Sequence, residues 1–354
     1  MRRHDIDNLR WGMILLLFPF HAALVFGGGE FGGFFVWLHK NVFLHAFVTF
    51  VYPWFMSLLF VLAGISARFS LKKRTAAAFL SERIHKLLLP LLLGLLFLVP
   101  VQSYIADRFW NHYPGSYFSH LKIFFTSFTY YTGYDGGFTP SHLWFILYLF
   151  VYSLLLLPLK TLTDRRFPKL YSIRLPYPVL LLLFLPEYLF LPLGNIPSKS
   201  IGQYLFLFFS GYYILFQDDA VREVEEYRRV SLMLFLLSGI IYTILWCGYT
   251  FTGPWMALLY LGFGWCGILT LLGYGSRYFN HRTPCTAFLS KAAFSFYLLH
   301  MPVEVILSFY IIKLKLPDLV LFLMITLSTF LTVLLLYLLG QKCRKTALRR
   351  FSGV

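Results

Sequence analysis

Apolar runs of about twenty residues recur along the whole chain, and most of the charge lies in the short segments between them. No other feature constrains the fold as strongly. Ten candidate runs are present, at 10–27, 45–66, 87–104, 142–159, 175–192, 201–216, 231–248, 255–274, 292–312 and 318–340. One helical crossing of the hydrocarbon takes about 20 residues, and a chain in hydrocarbon must satisfy its own backbone hydrogen bonds. The expected fold class is therefore all-α, a polytopic transmembrane helical bundle of about ten spans. With 58% hydrophobic and 13% charged residues, there is no polar surface to cover a soluble domain of 354 residues. The expectation is one integral membrane domain over 1–354. Pro53, Pro100 and Pro302 fall inside runs, which membrane helices tolerate when neighbouring groups satisfy the freed carbonyls.

The net charge of +16 suggests nucleic acid at first sight, but its distribution argues against that partner. Lys and Arg sit in short clusters between apolar runs, the pattern that orients membrane proteins and attracts anionic lipid headgroups. With a cytosolic N-terminus, segments 1–10, 67–86, 160–174, 217–230, 275–291 and the tail from Gln341 carry 25 of the 31 Lys and Arg. The expected location is the plasma (cytoplasmic) membrane, with membrane lipids as partners and both termini cytosolic. The run Trp11 to Phe26 could pass for a signal peptide, but Asp5 and Asp7 interrupt its basic flank and no small-residue cleavage site follows. It is expected to be retained. Cys247, Cys266, Cys285 and Cys343 have no metal-ligand spacing and read as structural or incidental.

The longest outward segment, 105–141, is rich in aromatics, including Phe109, Trp110, Tyr117, Phe118, Phe125, Phe128, Tyr130, Tyr131 and Tyr134. Aromatic faces suit sugar rings, and they equally suit a helix lying in the membrane interface. QDDAVREVEEYRR reads as a solvated charged loop, and Gly27, Gly28 and Gly29 as a flexible turn. The chain contains no Gly-rich phosphate loop, no zinc-ligand spacing and no nucleophile elbow, and no metal is expected.

Chemistry concentrates on a few polar residues inside the runs. Arg10 and His21 are eleven steps apart, which returns almost to the same helical angle after a rise of about 16 Å. Asp7 lies one turn before Arg10 and is placed to pair with it. An ionisable group in hydrocarbon is costly and usually faces a cavity or a partner. Desolvation disfavours the charged imidazole, and a neutral one can take a proton from a hydroxyl. His21 therefore reads either as a general base for acyl transfer or as a packing histidine bonded to a neighbouring helix. His300 and Glu304 are four residues apart on one helical face, as a proton relay, an acceptor contact or a structural hydrogen bond. Glu187 is a further intramembrane carboxylate. His142 and Trp144, at the edge of the fourth run, read as acceptor contacts or as helix anchors.

The opening RRHDIDNLRWGMILLLFPFH resembles the first span of the acyltransferase-3 family of integral membrane acyltransferases, with Arg10 and His21 on its Arg-x10-His pattern. The form DIDNLR most resembles the branch of glucan-biosynthesis succinyltransferases. FLSERIHKLLLP resembles the family's basic entry to the third span, although Lys86 stands where a second arginine follows Arg83, so only a point charge is offered there. SHLWFILYLF resembles the fourth span, with His142 and Trp144 at the matching positions, and FSFYLLHMP resembles the late Tyr-Leu-x-His segment, with His300 at the histidine. The resemblance covers nearly the whole chain.

It implies an O-acyltransferase that takes an acetyl or succinyl group from a cytosolic acyl-CoA (acetyl-CoA or succinyl-CoA). The acceptor would be a hydroxyl of an extracytoplasmic carbohydrate, a glycan or glycolipid, as in glycan O-acetylation. It also implies His21 as the essential base, Arg10 as its companion and Arg83 with Lys86 as the coenzyme A dock. Glu304 lies outside the family pattern. The alternative is a transporter or flippase for a carbohydrate or lipid-linked substrate, since buried His and Glu also suit proton coupling. The internal repeats and paired broken helices common in such proteins are not evident.

Overall fold

The computed structural model describes residues 3–27, 35–128, 137–196, 199–248 and 253–352. The chain opens with α1 (His4–Leu24) and α2 (Val42–Leu71). A composite rod follows: α3 (Ala76–Arg83), a π turn at Ile84–Leu88, α4 (Leu89–Phe97) and α5 (Val99–Trp110). Next come α6 (Tyr117–Thr126), the long α7 (Trp144–Arg166), and the short α8 (Tyr177–Leu181) and α9 (Phe184–Phe190). A two-residue hairpin pairs β1 (Asn195–Ile196) with β2 (Lys199–Ser200) ahead of α10 (Ile201–Ser210), which continues as a π turn at Gly211–Leu215. The chain ends with α11 (Asp218–Glu226), α12 (Arg228–Gly248), α13 (Pro254–Tyr278), α14 (Pro284–Ile311) and α15 (Asp318–Ser352).

The fold is the expected all-α, multi-pass one. Seven described helical stretches are long and apolar enough to cross a bilayer: Val42–Leu71, Ala76–Trp110, Ser141–Arg166, Arg228–Gly248, Pro254–Tyr278, Pro284–Leu314 and Asp318–Arg344. The other three expected runs fall on α1, which Asp5, Asp7, Arg10 and His21 make less apolar, and on the shorter helices Tyr177–Phe190 and Ile201–Leu215. Gly28, Gly29, Tyr130, Tyr131 and Tyr134 lie outside the described residues.

The chain forms two compact units, Met1–Met13 with His45–Leu95 and Ser141–Arg282, and Ile14–Leu44 with Leu96–Pro140 and Thr283–Val354. In the first unit, α2 and α13 are the central helices, and small residues set how closely their neighbours approach. A Cβ at Gly264 would lie 2.7 Å from the Pro53 carbonyl oxygen, and one at Gly267 would lie 2.9 Å from the Trp54 Cβ. Around them pack Phe50, Phe235 and Phe263, with Phe235 and Phe263 stacked at 5.3 Å.

The charged segment QDDAVREVEEYRR corrects the sequence expectation of a solvated loop. It forms α11 and the start of α12, and α11 buries Ala220 and Val224. Its ends are tied down: Glu223 Oε2 accepts from the Tyr177 backbone N–H at 2.8 Å, and Glu225 Oε2 accepts from the Ser276 hydroxyl at 2.6 Å. Gly273 permits this docking, because a Cβ there would lie 2.4 Å from the Val224 carbonyl oxygen. Two apolar residues at i and i+4 form a narrow stripe that suffices against a glycine groove.

In the second unit, α14 and α15 form a hairpin. Thr283 caps α14 in a reciprocal box with Thr286, and Pro284 opens the helix. Phe18 of α1 meets Phe296 and Phe330 edge-on, at 6.1 and 5.6 Å. The far face of α15 exposes Leu323, Leu327, Leu331 and Leu335, as a helix facing lipid requires. Helix α6 buries Phe124 and leaves Phe118 80% exposed, consistent with a helix lying in the membrane interface.

Candidate functional site

Arg10, Arg83, Lys86, His142 and Trp144 belong to the first unit, and His21, His300 and Glu304 to the second. Helix α1 carries both Arg10 and His21 on one unbroken stretch.

In the first unit the Arg10 side chain is held at both ends. Its Nη1 donates to Asp7 Oδ1 at 3.2 Å, the pairing expected from the sequence, and its Nη2 donates to Ser66 Oγ at 2.6 Å. Ser66 in turn donates to the Leu62 carbonyl at 2.7 Å, so its lone pairs face the guanidinium. Arg83 lies within electrostatic reach of Glu82, which attracts it, and of Arg10, which repels it less. Its guanidinium sits over the Phe79 ring at 4.6 Å, and its Nε is buried without a hydrogen-bond partner.

Lys86 does not join them. It is 69% exposed and bonds Glu82 Oε1 at 2.7 Å, while Glu82 also pairs with Arg74. The π turn explains the separation: Leu89 N–H bonds Ile84 O, five residues back, and this wider turn rotates Lys86 away from Arg83.

Elsewhere in this unit, His142 stands in a one-turn 3-10 helix entering α7, behind Ser141, which adopts a left-handed φ of 49°. Its ring is buried, with Nδ1 at 3.4 Å from Ser141 Oγ. Trp144 is buried in an aromatic cluster. It meets Tyr148 and Tyr204 at 5.2 Å, and Phe60 stacks on Tyr204 at 4.6 Å.

Sequence reasoning missed two residues beside this cluster. Gln203 Nε2 donates to Glu187 Oε1 at 3.0 Å, with both side chains buried. A glutamine inside the apolar run of α10 was the available signal. Lys199 Nζ lies 5.4 Å from the centre of the Trp144 ring, and the apolar mass around it pulls its ammonium down to about 8. It is therefore protonated below about pH 8 and neutral above. Reductive methylation with labelled formaldehyde, followed by NMR titration, should find one lysine with a midpoint near 8, absent in Lys199→Arg.

In the second unit the His21 ring lies 5.2 Å from the His300 ring, tilted by 39°. His300 is fully buried, and its Nδ1 lies 2.7 Å from the Tyr297 carbonyl. A carbonyl only accepts, so Nδ1 carries the proton and Nε2 keeps its lone pair. Glu304 follows one helical turn later, also fully buried, and neither carboxyl oxygen has a hydrogen-bond partner. Ser308 continues the stripe at i+8. A half-buried imidazole beside a second, tautomer-fixed imidazole is suited to accepting and releasing a proton away from bulk water.

An acyltransferase-domain family model matches residues 3–340. No curated protein and no solved structure gives a significant match. The match takes in every site residue described above, and on this coverage the chain belongs to the acyltransferase-3 family of membrane acyltransferases.

Proposed function

We propose that this acyltransferase carries an acetyl or succinyl group from a cytosolic acyl-CoA to a hydroxyl of an extracytoplasmic glycan or glycolipid. The observation that carries the reading is the His21–His300 pair, with Glu304 one turn further along. His21 takes the proton of the acceptor hydroxyl as its oxygen attacks the thioester carbonyl. The C–O bond forms, the C–S bond breaks, and the imidazolium returns the proton to the coenzyme A thiolate. His300 positions the His21 ring, and Arg10 with Arg83 offers the cationic dock for the donor's phosphates. His142 and Trp144 lie on the acceptor side of this reading.

The direct test is mass spectrometry of envelope glycans from a deletion strain, with and without the wild-type gene restored. Loss of one ester-linked acyl mass, recovered on restoration, supports the reading and identifies the donor group. Unchanged acylation with altered glycan export would replace it with a transporter. The two basic positions should separate in kinetics. Arg83→Ala is expected to raise KM for acyl-CoA about tenfold, the loss of one charge-assisted contact. Lys86→Ala should raise it less than about threefold, because Lys86 is exposed and already paired with Glu82.

A further inference from the structure

Glu187 has no task in the proposed transfer, and its setting is unusual. Glu187 is 2% exposed, Gln203 holds its Oε1, and its Oε2 is buried with no hydrogen-bond partner. A buried polar atom left unmatched is costly in any protein and more so in a membrane domain, where it commonly marks a functional site.

The surrounding backbone points the same way. Where the run 175–192 would most simply form one continuous helix, the chain breaks α8 from α9 at Leu182 and Leu183. Irregular backbone is tolerated at membrane depth only where it is buried in protein or lines a wet cavity. Tyr204 lies next to Gln203 in sequence and within electrostatic reach of Glu187. The Tyr204 ring belongs to the wall formed with Trp144 and Tyr148, and Lys199 stands over Trp144.

We infer that Glu187 and Gln203, with the Trp144–Tyr148–Tyr204 wall, form a binding subsite for the hydroxyl groups of a hexopyranose ring. The inference rests on the proposed transfer to a sugar and gives that acceptor a place in the first unit. The chemistry matches the ligand. A carboxyl oxygen accepts from a ring hydroxyl, and the Gln203 amide keeps a carbonyl oxygen and a second N–H beyond its bond to Glu187. The aromatic wall takes the apolar C–H face of the ring, and Lys199 adds a donor at its edge.

The test uses the full-length protein in lipid nanodiscs and a hydrophobic carbodiimide, which modifies protonated carboxyl groups inside membranes. Peptide mass spectrometry follows Glu187, with Glu304 as the internal control. A mixture of the methyl glycosides of glucose, galactose and mannose is the probe. The expected result is at least about fivefold slower modification of Glu187 with Glu304 unchanged, the protection a site mostly occupied by sugar would give. Equal rates with and without sugar, in protein that still transfers an acyl group to those glycosides, would overturn the inference.

Glu187→Gln, which keeps the shape and the bond to Gln203, should raise KM for the glycosides about tenfold and move KM for acyl-CoA less than about twofold. An unchanged glycoside KM would also overturn it. Protection of Glu187 by glycosides in a protein that acylates none of them would uphold the subsite and defeat the transfer reaction.

Discussion

Replacing His21 with alanine is expected to lower acyl transfer by about 10²- to 10⁴-fold, the range that a positioned general base contributes. The protein should still fold. Alanine is the strongest helix former, so α1 loses nothing in propensity. His21 is half-buried, whereas Phe18 and Phe296 are fully buried core side chains of its unit. Its ring meets Phe20 at 5.3 Å and His300 at 5.2 Å, among other contacts. The measurement is turnover of acyl-CoA into ester product by the purified variant in nanodiscs, beside its thermal midpoint. Full activity in a folded His21→Ala protein would end the proposed mechanism. His300→Ala should cost about tenfold, because it removes a positioning ring and leaves the base.

The largest effect on stability is expected at Gly64. A Cβ added there would lie 1.9 Å from the Phe208 carbonyl oxygen and 3.0 Å from the Tyr212 nitrogen. The facing glycine behaves alike, since a Cβ at Gly211 would lie 2.2 Å from the Val61 carbonyl oxygen. Each glycine lets a neighbouring backbone approach, the small-residue contact by which membrane helices pack without a hydrophobic driving force between them. The atoms in the way are backbone, so no side-chain rotation relieves the clash. Gly64→Ala should cost about 3 kcal/mol, the upper end for overpacking, and Gly64→Val more. Thermal unfolding followed by size-exclusion chromatography reads it. Gly12 is the control: it is helical, nothing lies within 4 Å of its added Cβ, and Gly12→Ala should gain up to about 1 kcal/mol. A Gly64→Ala protein as stable as wild type would show that α2 does not lie against α10 in this way.

Helix class was legible because it depends on local quantities. Run lengths near 20 residues and the cost of an unsatisfied backbone in hydrocarbon settle where helices form, whatever their neighbours. The Asp7–Arg10 pair was legible for the same reason, one turn apart on one helix. The charged stretch around Val224 was misread because its polarity outweighed two apolar residues, and nothing local reveals that Gly273 offers them a groove. Lys86 was expected beside Arg83, but a π turn is set by packing along the helix and leaves no mark in spacing.

The sequence by itself therefore determined a multi-pass helical acyltransferase, because hydrocarbon length and backbone satisfaction act within each segment, and because the family's motifs are short and local. Tertiary structure alone decided that His21 meets His300 and that Glu187 meets Gln203, with one carboxyl oxygen left over. It also decided that Gly64 and Gly211 each lie against a backbone carbonyl. These are contacts between helices, or between helical segments set apart by a turn, and they depend on which faces pack together. Periodicity gives the angle of a residue on its own helix but not the partner that fills the space in front of it.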